Sequence, residues 1–197
     1  LNKGLRISLR DLRDGHVDED GAALHDEFHY VDGLQDYVTF LIGTKDVINP
    51  TIISLEAHRP EEGMGLEIAM QWTSAYSESV HTYANTINTT EGGTHEAGFW
   101  TAILKGVRAY GELTKNRKAE NITRDDLLTG GCALVSCFIA EPEFVGQTKD
   151  RLATTEAARL VEGAVRDHFD NWLAADTKSA GAILDFLCES DQRLLDF

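Results

Sequence analysis

Cysteine is scarce in this chain, and the few cysteines present exclude a disulfide or zinc framework. The 197 residues include three, Cys132, Cys137 and Cys188. The first two stand five residues apart on one predicted buried strand, which places them on opposite faces. All three are interpreted as small buried hydrophobic residues in a reducing, cytoplasmic environment. Long apolar runs are also lacking: no secretory signal and no membrane-length segment occurs, so we expect no membrane partner.

Positive charge is in short supply as well. Lys and Arg number 18 against 33 Asp and Glu, giving a formal net charge of −15. Contact with phosphates needs clustered cations, so this balance predicts weak DNA binding by the chain alone. The densest basic group is interpreted as a solvated helix end rather than a DNA site; it comprises Arg108, Lys115, Arg117 and Lys118.

Signatures of nucleophilic and metal-dependent catalysis are missing. No Gly-x-Ser-x-Gly elbow occurs, and no cysteine stands beside a base in a recognisable context. His25 and His29 are four residues apart and close to Asp26 and Glu27. No third ligand follows at a fixed spacing, so we predict no metal site.

Periodicity predicts strands in the first two thirds of the chain. Leu5, Ile7 and Leu9 alternate with polar residues as in a half-buried strand, and residues 13–27 form a solvated loop. Residues 53–58, 64–72 and 80–86 have turn-length links, which indicates an antiparallel meander. Residues 131–140 are continuously apolar, as is typical of a buried central strand.

Helical spacing accounts for the remaining apolar residues. Residues 33–42 form a first helix; later helices begin at caps Thr94, Thr123 and Thr155, and the last begins near Ser179. Their apolar stripes comprise Leu34, Tyr37, Val38 and Leu41; Phe99, Ile103, Val107 and Tyr110; Leu160, Val161, Ala164, Val165, Phe169 and Trp172; and Ile183, Leu184, Leu187, Leu194 and Leu195. Strands followed by helices predict an α+β fold.

The segment with most chemical content is Gln147-Thr148-Lys149, directly after the apolar strand. A lysine on a loop behind a buried strand is a positioned point charge, suited to a phosphate. Upstream, residues 83–99 read YANTINTTEGGTHEAGF. Residues 88–95 could be a glycine-containing phosphate cradle, although a turn followed by a capped helix is the favoured interpretation.

These two segments, in this order, resemble the transducer domain of the ATPase subunit of bacterial type IIA topoisomerases (gyrase B or topoisomerase IV B). Residues 1–11 resemble the last strand of the preceding GHKL ATPase domain, and residues 28–34 the entry into the transducer. The resemblance assigns residues 1–27 to a GHKL remnant with its connecting loop, and residues 28–197 to the transducer. Residues 147–158 and 166–173 are more similar to topoisomerase IV than to gyrase.

The resemblance implies a four-stranded sheet with helices on one face and a left-handed crossover, a fold shared with the second domain of a small-subunit ribosomal protein. It implies a role in coupling ATP binding and hydrolysis to DNA strand passage. The lysine that matches Lys149 contacts the γ-phosphate of ATP, and Gln147 supports that contact.

The resemblance also implies cofactors and partners. ATP and magnesium are bound mainly by the GHKL domain, and none is expected for this chain alone. The partners are the GHKL and TOPRIM parts of the same polypeptide, a second copy of that polypeptide, the A-type topoisomerase subunit and duplex DNA. The catalytic base, adenine-binding Asp and glycine-rich lid belong to the GHKL domain and do not occur here. The chain, which begins at Leu1 without an initiating Met, is therefore expected to be an inactive fragment by itself.

Departures from the family pattern leave two alternatives open. Trp100 stands where the family commonly has Arg, and more positive charge is expected near residues 137–139 and 188–197. These losses allow a diverged, non-enzymatic interaction module that keeps the transducer fold. The middle domain of another GHKL protein, such as a mismatch-repair or chaperone ATPase, is more distant, and the paired motifs argue against it.

Overall fold

The N-terminal strands form a ribbon whose apolar side chains are exposed. The computed structural model describes residues 2–13, 15–75 and 77–193, with side chains as far as 189. In it β1 (Arg6–Arg10) pairs antiparallel with β2 (His25–His29), which brings Ile7 opposite Phe28. The alternation at Leu5, Ile7 and Leu9 is present, but the three are 50, 48 and 57% exposed rather than half-buried against a core. Nothing in the described part of the chain covers that face.

The ribbon also shows that the solvated loop predicted at residues 13–27 is wrong at its C-terminal end. β2 begins at His25, inside the predicted solvated loop 13–27, and it runs across the expected division between residues 27 and 28.

Helices and a mixed sheet follow, so the predicted α+β class is confirmed. The further elements are α1 (Leu34–Ile42), β3 (Ile53–Arg59), β4 (Met64–Trp72), β5 (Ser79–Ala84), β6 (Ile87–Asn88), α2 (Thr94–Leu113), α3 (Arg124–Leu128), β7 (Gly131–Ile139), β8 (Phe144–Val145), β9 (Arg151–Leu152), α4 (Thr155–Ala175) and α5 (Thr177–Arg193). In the described residues, no helix has the length and apolar character needed to cross a membrane.

The main sheet has the order β3-β4-β7-β5-β6. The predicted central position of the apolar strand is confirmed, because β7 lies between β4 and β5, antiparallel to the first and parallel to the second. The predicted meander is wrong at its third strand: β7 is buried on both faces and takes the place beside β4 that the meander gave to β5.

The sheet has five strands rather than the expected four. The predicted strand 80–86 ends at Ala84, because Asn85 and Thr86 have φ of 49° and 67° and turn the chain back. The two-residue strand β6 then pairs with the end of β5 and forms the sheet edge.

Helices cover both faces of the sheet, so the expectation of helices on one face is wrong for α1. Leu34, Val38 and Ile42 recur every fourth residue and pack against Ala69, Leu134 and Cys132. Cys137 belongs to the other, larger core with α2 and α4, which confirms that Cys132 and Cys137 point to opposite faces.

Helix α2 lies closely against α4. Phe99, Ile103 and Val107 of α2 are buried as predicted. A Cβ at Gly106 would lie 2.5 Å from the Phe169 ring, so only glycine permits this approach between the helices.

The helix starts differ slightly from the predicted ones. Thr123 caps α3, as predicted, and the structure adds a reciprocal capping box with Asp126. The caps of α2 and α4 are Gly93 and Thr154, each one residue before the predicted threonine. The last helix begins at Thr177 rather than near Ser179; Leu194 and Leu195 lie outside the described residues.

Candidate functional site

Gln147, Thr148 and Lys149 lie at the exposed tip of a short hairpin formed by β8 and β9. Lys149 has φ of 59°, a left-handed conformation that is uncommon for a residue other than glycine. Its Nζ is 5.8 Å from the centroid of the Phe144 ring. Lys149 forms no ion pair with any residue that the structure describes, so its charge is free to meet an anion from outside the chain.

The base of this hairpin is fixed to the core. Leu152 is only 1% exposed and packs in the larger hydrophobic core. The N–H of Ala153 donates to the Glu143 carbonyl at 2.7 Å, and the N–H of Glu143 donates to Thr154 Oγ1 at 2.9 Å. The hairpin therefore presents Lys149 at an exposed tip, from a base that is anchored to the core.

The second sequence motif, residues 88–95, contacts the same hairpin directly. The N–H of Glu91 donates to the Asp150 carbonyl at 2.9 Å, and the N–H of Leu152 donates to the Gly92 carbonyl at 3.1 Å. Thr90 Oγ1 donates to the Asp150 carboxylate at 3.1 Å. The two motifs therefore form one structural unit. The sequence patterns did not reveal the contact between them.

Gly93 explains why this unit needs a glycine. Its φ is 137°, and a Cβ built there would lie 2.7 Å from the Leu152 nitrogen and overlap the Leu152 carbonyl. Any side chain would push residues 88–93 away from the hairpin.

The phosphate-cradle interpretation of residues 88–95 is not supported by this arrangement. The Gly92 N–H already donates to the Thr89 carbonyl at 2.9 Å. The Glu96 carboxylate lies against Gly92 and is paired with Arg124. A carboxylate already occupies the first turn of α2, where a phosphate would have to bind. The segment is a turn followed by a helix, which was the favoured interpretation.

His95 is a residue of this unit that sequence reasoning did not single out. It is fully buried, and its Nε2 lies 3.1 Å from Thr89 Oγ1. Burial lowers the pKa of His95 from 6.5 to about 4, so the ring is neutral near pH 7. Its Nδ1 has no hydrogen-bond partner among the described residues. Its only sequence signal was its place inside the motif.

The remaining candidates lie elsewhere or have structural roles. Arg108 donates twice to the Ile122 carbonyl, at 3.0 and 2.6 Å, and so fastens the end of α2. Lys115 and Arg117 help to line a space of about 750 Å³ alongside the C-terminal half of α2, here called the basic cavity. Its other charged lining residues are Lys105, Arg108, Glu112, Glu120 and Arg166.

Trp100, which replaces the Arg common in the family, is buried, and the His25 and His29 pair lies on a strand. Trp100 is 1% exposed and meets Phe99 edge to face, with 4.8 Å between ring centroids, so this position does not face solvent. His25 and His29 lie on β2, and no cluster of three or more potential metal ligands occurs among the described residues.

Comparison with known proteins gives a consistent result. A family model described as DNA gyrase B matches residues 33–195. The DNA gyrase B protein of Streptomyces coelicolor is 40% identical over 93% of the chain and 29% of that protein. The DNA topoisomerase 4 B protein of Bartonella bacilliformis is 43% identical over 86% of the chain and 24% of that protein. The chain thus spans 24 to 29% of these relatives' length.

A solved structure has the same fold. The 43K ATPase domain of Thermus thermophilus gyrase B, in complex with an aminocoumarin, superposes with a TM-score of 0.79. It is 24% identical and covers 88% of this chain and 47% of that one.

Proposed function

Because the chain belongs to the DNA gyrase B family, we propose that it is the transducer part of a type IIA topoisomerase ATPase subunit. It couples ATP binding and hydrolysis in an adjacent GHKL domain to DNA strand passage. In this proposal residues 1–27 complete the GHKL domain, and residues 28–197 form the transducer. We further propose that the parallel connection from β5 to β7 corresponds to the left-handed crossover expected for the fold shared with the second domain of a small-subunit ribosomal protein.

The observation that carries the proposal is the placement of Lys149. An exposed lysine at the tip of a hairpin with a buried base can reach beyond its own domain while its backbone stays fixed. A cation held where charge accumulates on a γ-phosphate favours phosphoryl transfer. Gln147, on the same tip, supports the contact with an amide donor.

The cofactors and partners follow from this role. ATP and magnesium are bound mainly by the GHKL domain, so the chain alone binds neither. Its partners are the GHKL and TOPRIM parts of the same polypeptide, a second copy of that polypeptide, the A-type topoisomerase subunit and duplex DNA. The ATP signal passes from Lys149 through the hairpin to residues 88–95 and α2, because these segments are hydrogen-bonded in series.

The test is Lys149→Ala in a longer protein that includes the ATPase domain. Loss of a phosphate stabiliser from a water-poor site typically costs about 10²–10³ in rate, and we expect that loss of ATPase turnover. ADP affinity should stay the same, since ADP has no γ-phosphate. The free energy of unfolding should change by less than about 0.5 kcal/mol, as for most exposed sites.

Lys178→Ala is the matched control, since it removes another exposed lysine, from the first turn of α5. Its turnover should equal that of the parent. Turnover within twofold of the parent in Lys149→Ala, or a parallel loss of ADP binding, would overturn the role of Lys149. That result would favour the diverged interaction module instead.

A further inference from the structure

A chain of three buried polar side chains lies behind the unit formed by the two motifs. Thr82 on β5, Thr89 in the motif and His95 on α2 are 3, 2 and 0% exposed. Thr82 Oγ1 lies 2.7 Å from Thr89 Oγ1 and 3.0 Å from the Thr89 carbonyl oxygen. Thr89 Oγ1 lies in turn 3.1 Å from His95 Nε2.

The tautomer of His95 is inferred by assigning one hydrogen bond to each of these three contacts. A carbonyl only accepts, so the Thr82 hydroxyl donates to the Thr89 carbonyl. Thr82 Oγ1 must then accept from the Thr89 hydroxyl, and Thr89 Oγ1 must accept from His95 Nε2–H. The ring is therefore protonated at Nε2 and bare at Nδ1, which agrees with the lack of a partner for Nδ1 among the described residues.

The three side chains connect the sheet and α2 to the segment that meets the hairpin. Thr89 also donates its backbone N–H to the Thr82 carbonyl at 2.8 Å, and its own carbonyl accepts from Gly92. Residues 90–93 follow at once and make all the hydrogen bonds to Asp150 and Leu152 described above. Thr89 is consequently held on three sides just before the contact that supports Lys149.

We propose that Thr82, Thr89 and His95 are positioning residues that hold residues 90–93 against the hairpin and thereby fix the place of Lys149. None of the three touches a nucleotide in this role, which rests on the proposed function of Lys149. This positioning depends on hydrogen bonds rather than on side-chain volume, because a buried polar group without its partner is strongly disfavoured.

The first test needs only this chain and measures amide hydrogen exchange. Thr89→Val keeps the side-chain shape but removes the hydroxyl, leaving the His95 Nε2–H without an acceptor. We expect the amides of Glu91 and Leu152 to exchange about tenfold or more faster relative to the amides of β7. Thr101→Val is the matched control: it removes a hydroxyl of α2 that donates to the Ala97 carbonyl of the same helix, and it should leave this ratio unchanged. An unchanged ratio in Thr89→Val overturns the inference.

A second measurement needs no substitution. Nitrogen chemical shifts of the His95 ring in the folded chain should show a protonated Nε2 and a bare Nδ1. A proton on Nδ1 overturns the arrangement, even if Thr89→Val does not fold.

The last test uses a longer protein that includes the ATPase domain. Small misplacements of catalytic groups are costly, so Thr89→Val should lower kcat about tenfold with ADP affinity unchanged. Thr89→Ser, which restores the hydroxyl, should recover most of the rate. If Lys149→Ala leaves turnover unchanged, the proposed function fails whatever the exchange data show. If Lys149→Ala slows turnover while Thr89→Val changes neither exchange nor kcat, only the positioning inference fails.

Discussion

Leu152 donates its backbone N–H to the Gly92 carbonyl at 3.1 Å, and its side chain is buried in the core. One residue thus anchors the Lys149 hairpin in the core and also forms a hydrogen bond with the glycine-containing motif. Any change that separates Leu152 from Gly92 should disturb both motifs together, which makes this contact the best place to test the architecture.

Gly93→Ala should destabilise the chain strongly. The added methyl would overlap the Leu152 backbone, and alanine disfavours φ of 137°. Overpacking and backbone strain together predict a loss of roughly 3 kcal/mol or more in the free energy of unfolding, measured by urea denaturation.

Gly163→Ala is the matched control for that experiment. Gly163 is an exposed residue of α4, and nothing lies within 4 Å of a Cβ there. The same added methyl should raise stability by about 0.5–1 kcal/mol through helix propensity. Similar losses in the two variants would contradict the close approach at Gly93.

Stability should fall in mild acid because of His95. Its pKa is about 4 in the folded chain against an ordinary 6.5, so between these values the unfolded chain binds the additional proton. The contribution of the neutral His95 ring to the free energy of unfolding is fully present above pH 6.5 and is lost as the pH falls toward 4. Its full size is about 3 kcal/mol, from the size of the pKa shift.

The measurement compares the chain with His95→Gln, which cannot titrate there. The unfolding free energy of the chain should fall more steeply between pH 6.5 and 4 than that of the variant. Parallel curves would show that His95 does not titrate as proposed.

The three cysteines should differ in reactivity toward a thiol reagent at pH 8. Cys132 and Cys137 are buried, and burial raises the pKa of both thiols, that of Cys137 to about 12. Cys188 is partly exposed and should react first, although burial also raises its pKa. Cys188→Ser should abolish the fast phase in the folded chain, while urea should release the other two thiols. A fast phase that survives this substitution would refute the burial of the β7 thiols.

Duplex DNA should bind the chain weakly at physiological salt, because its formal charge is −15. Residual binding at low salt should depend on Lys115 and Arg117, which line the basic cavity. The double variant Lys115→Gln, Arg117→Gln should reduce that binding in a titration at low salt. Submicromolar affinity that persists at moderate salt would contradict this prediction.

The local sequence pattern correctly predicted those strands and helix starts that depend on residues close together in the chain. Period-two alternation identified β4, the continuous apolar run identified β7, and the Thr123 cap marked the start of α3. These features depend on local spacing and capping, so one sequence is sufficient to find them.

Features that depend on distant contacts were missed. The insertion of β7 between β4 and β5 depends on which strand is buried on both faces, and that is a property of the assembled sheet. The motif contact between Gly93 and Leu152 joins separate parts of the chain through their backbones, and backbone contacts leave no side-chain pattern to read. The family resemblance identified both motifs but did not show their contact.

Helix α2 has 20 residues and is therefore about 30 Å long. Its first turn meets the Lys149 hairpin, whereas its last residues border the basic cavity. If α2 tilted as a rigid rod by about 5° at its hairpin end, its cavity end would be displaced by roughly 2.6 Å, given that length. A small tilt at the hairpin end is thus enlarged, by helix length alone, into a larger shift at the end that borders the basic cavity.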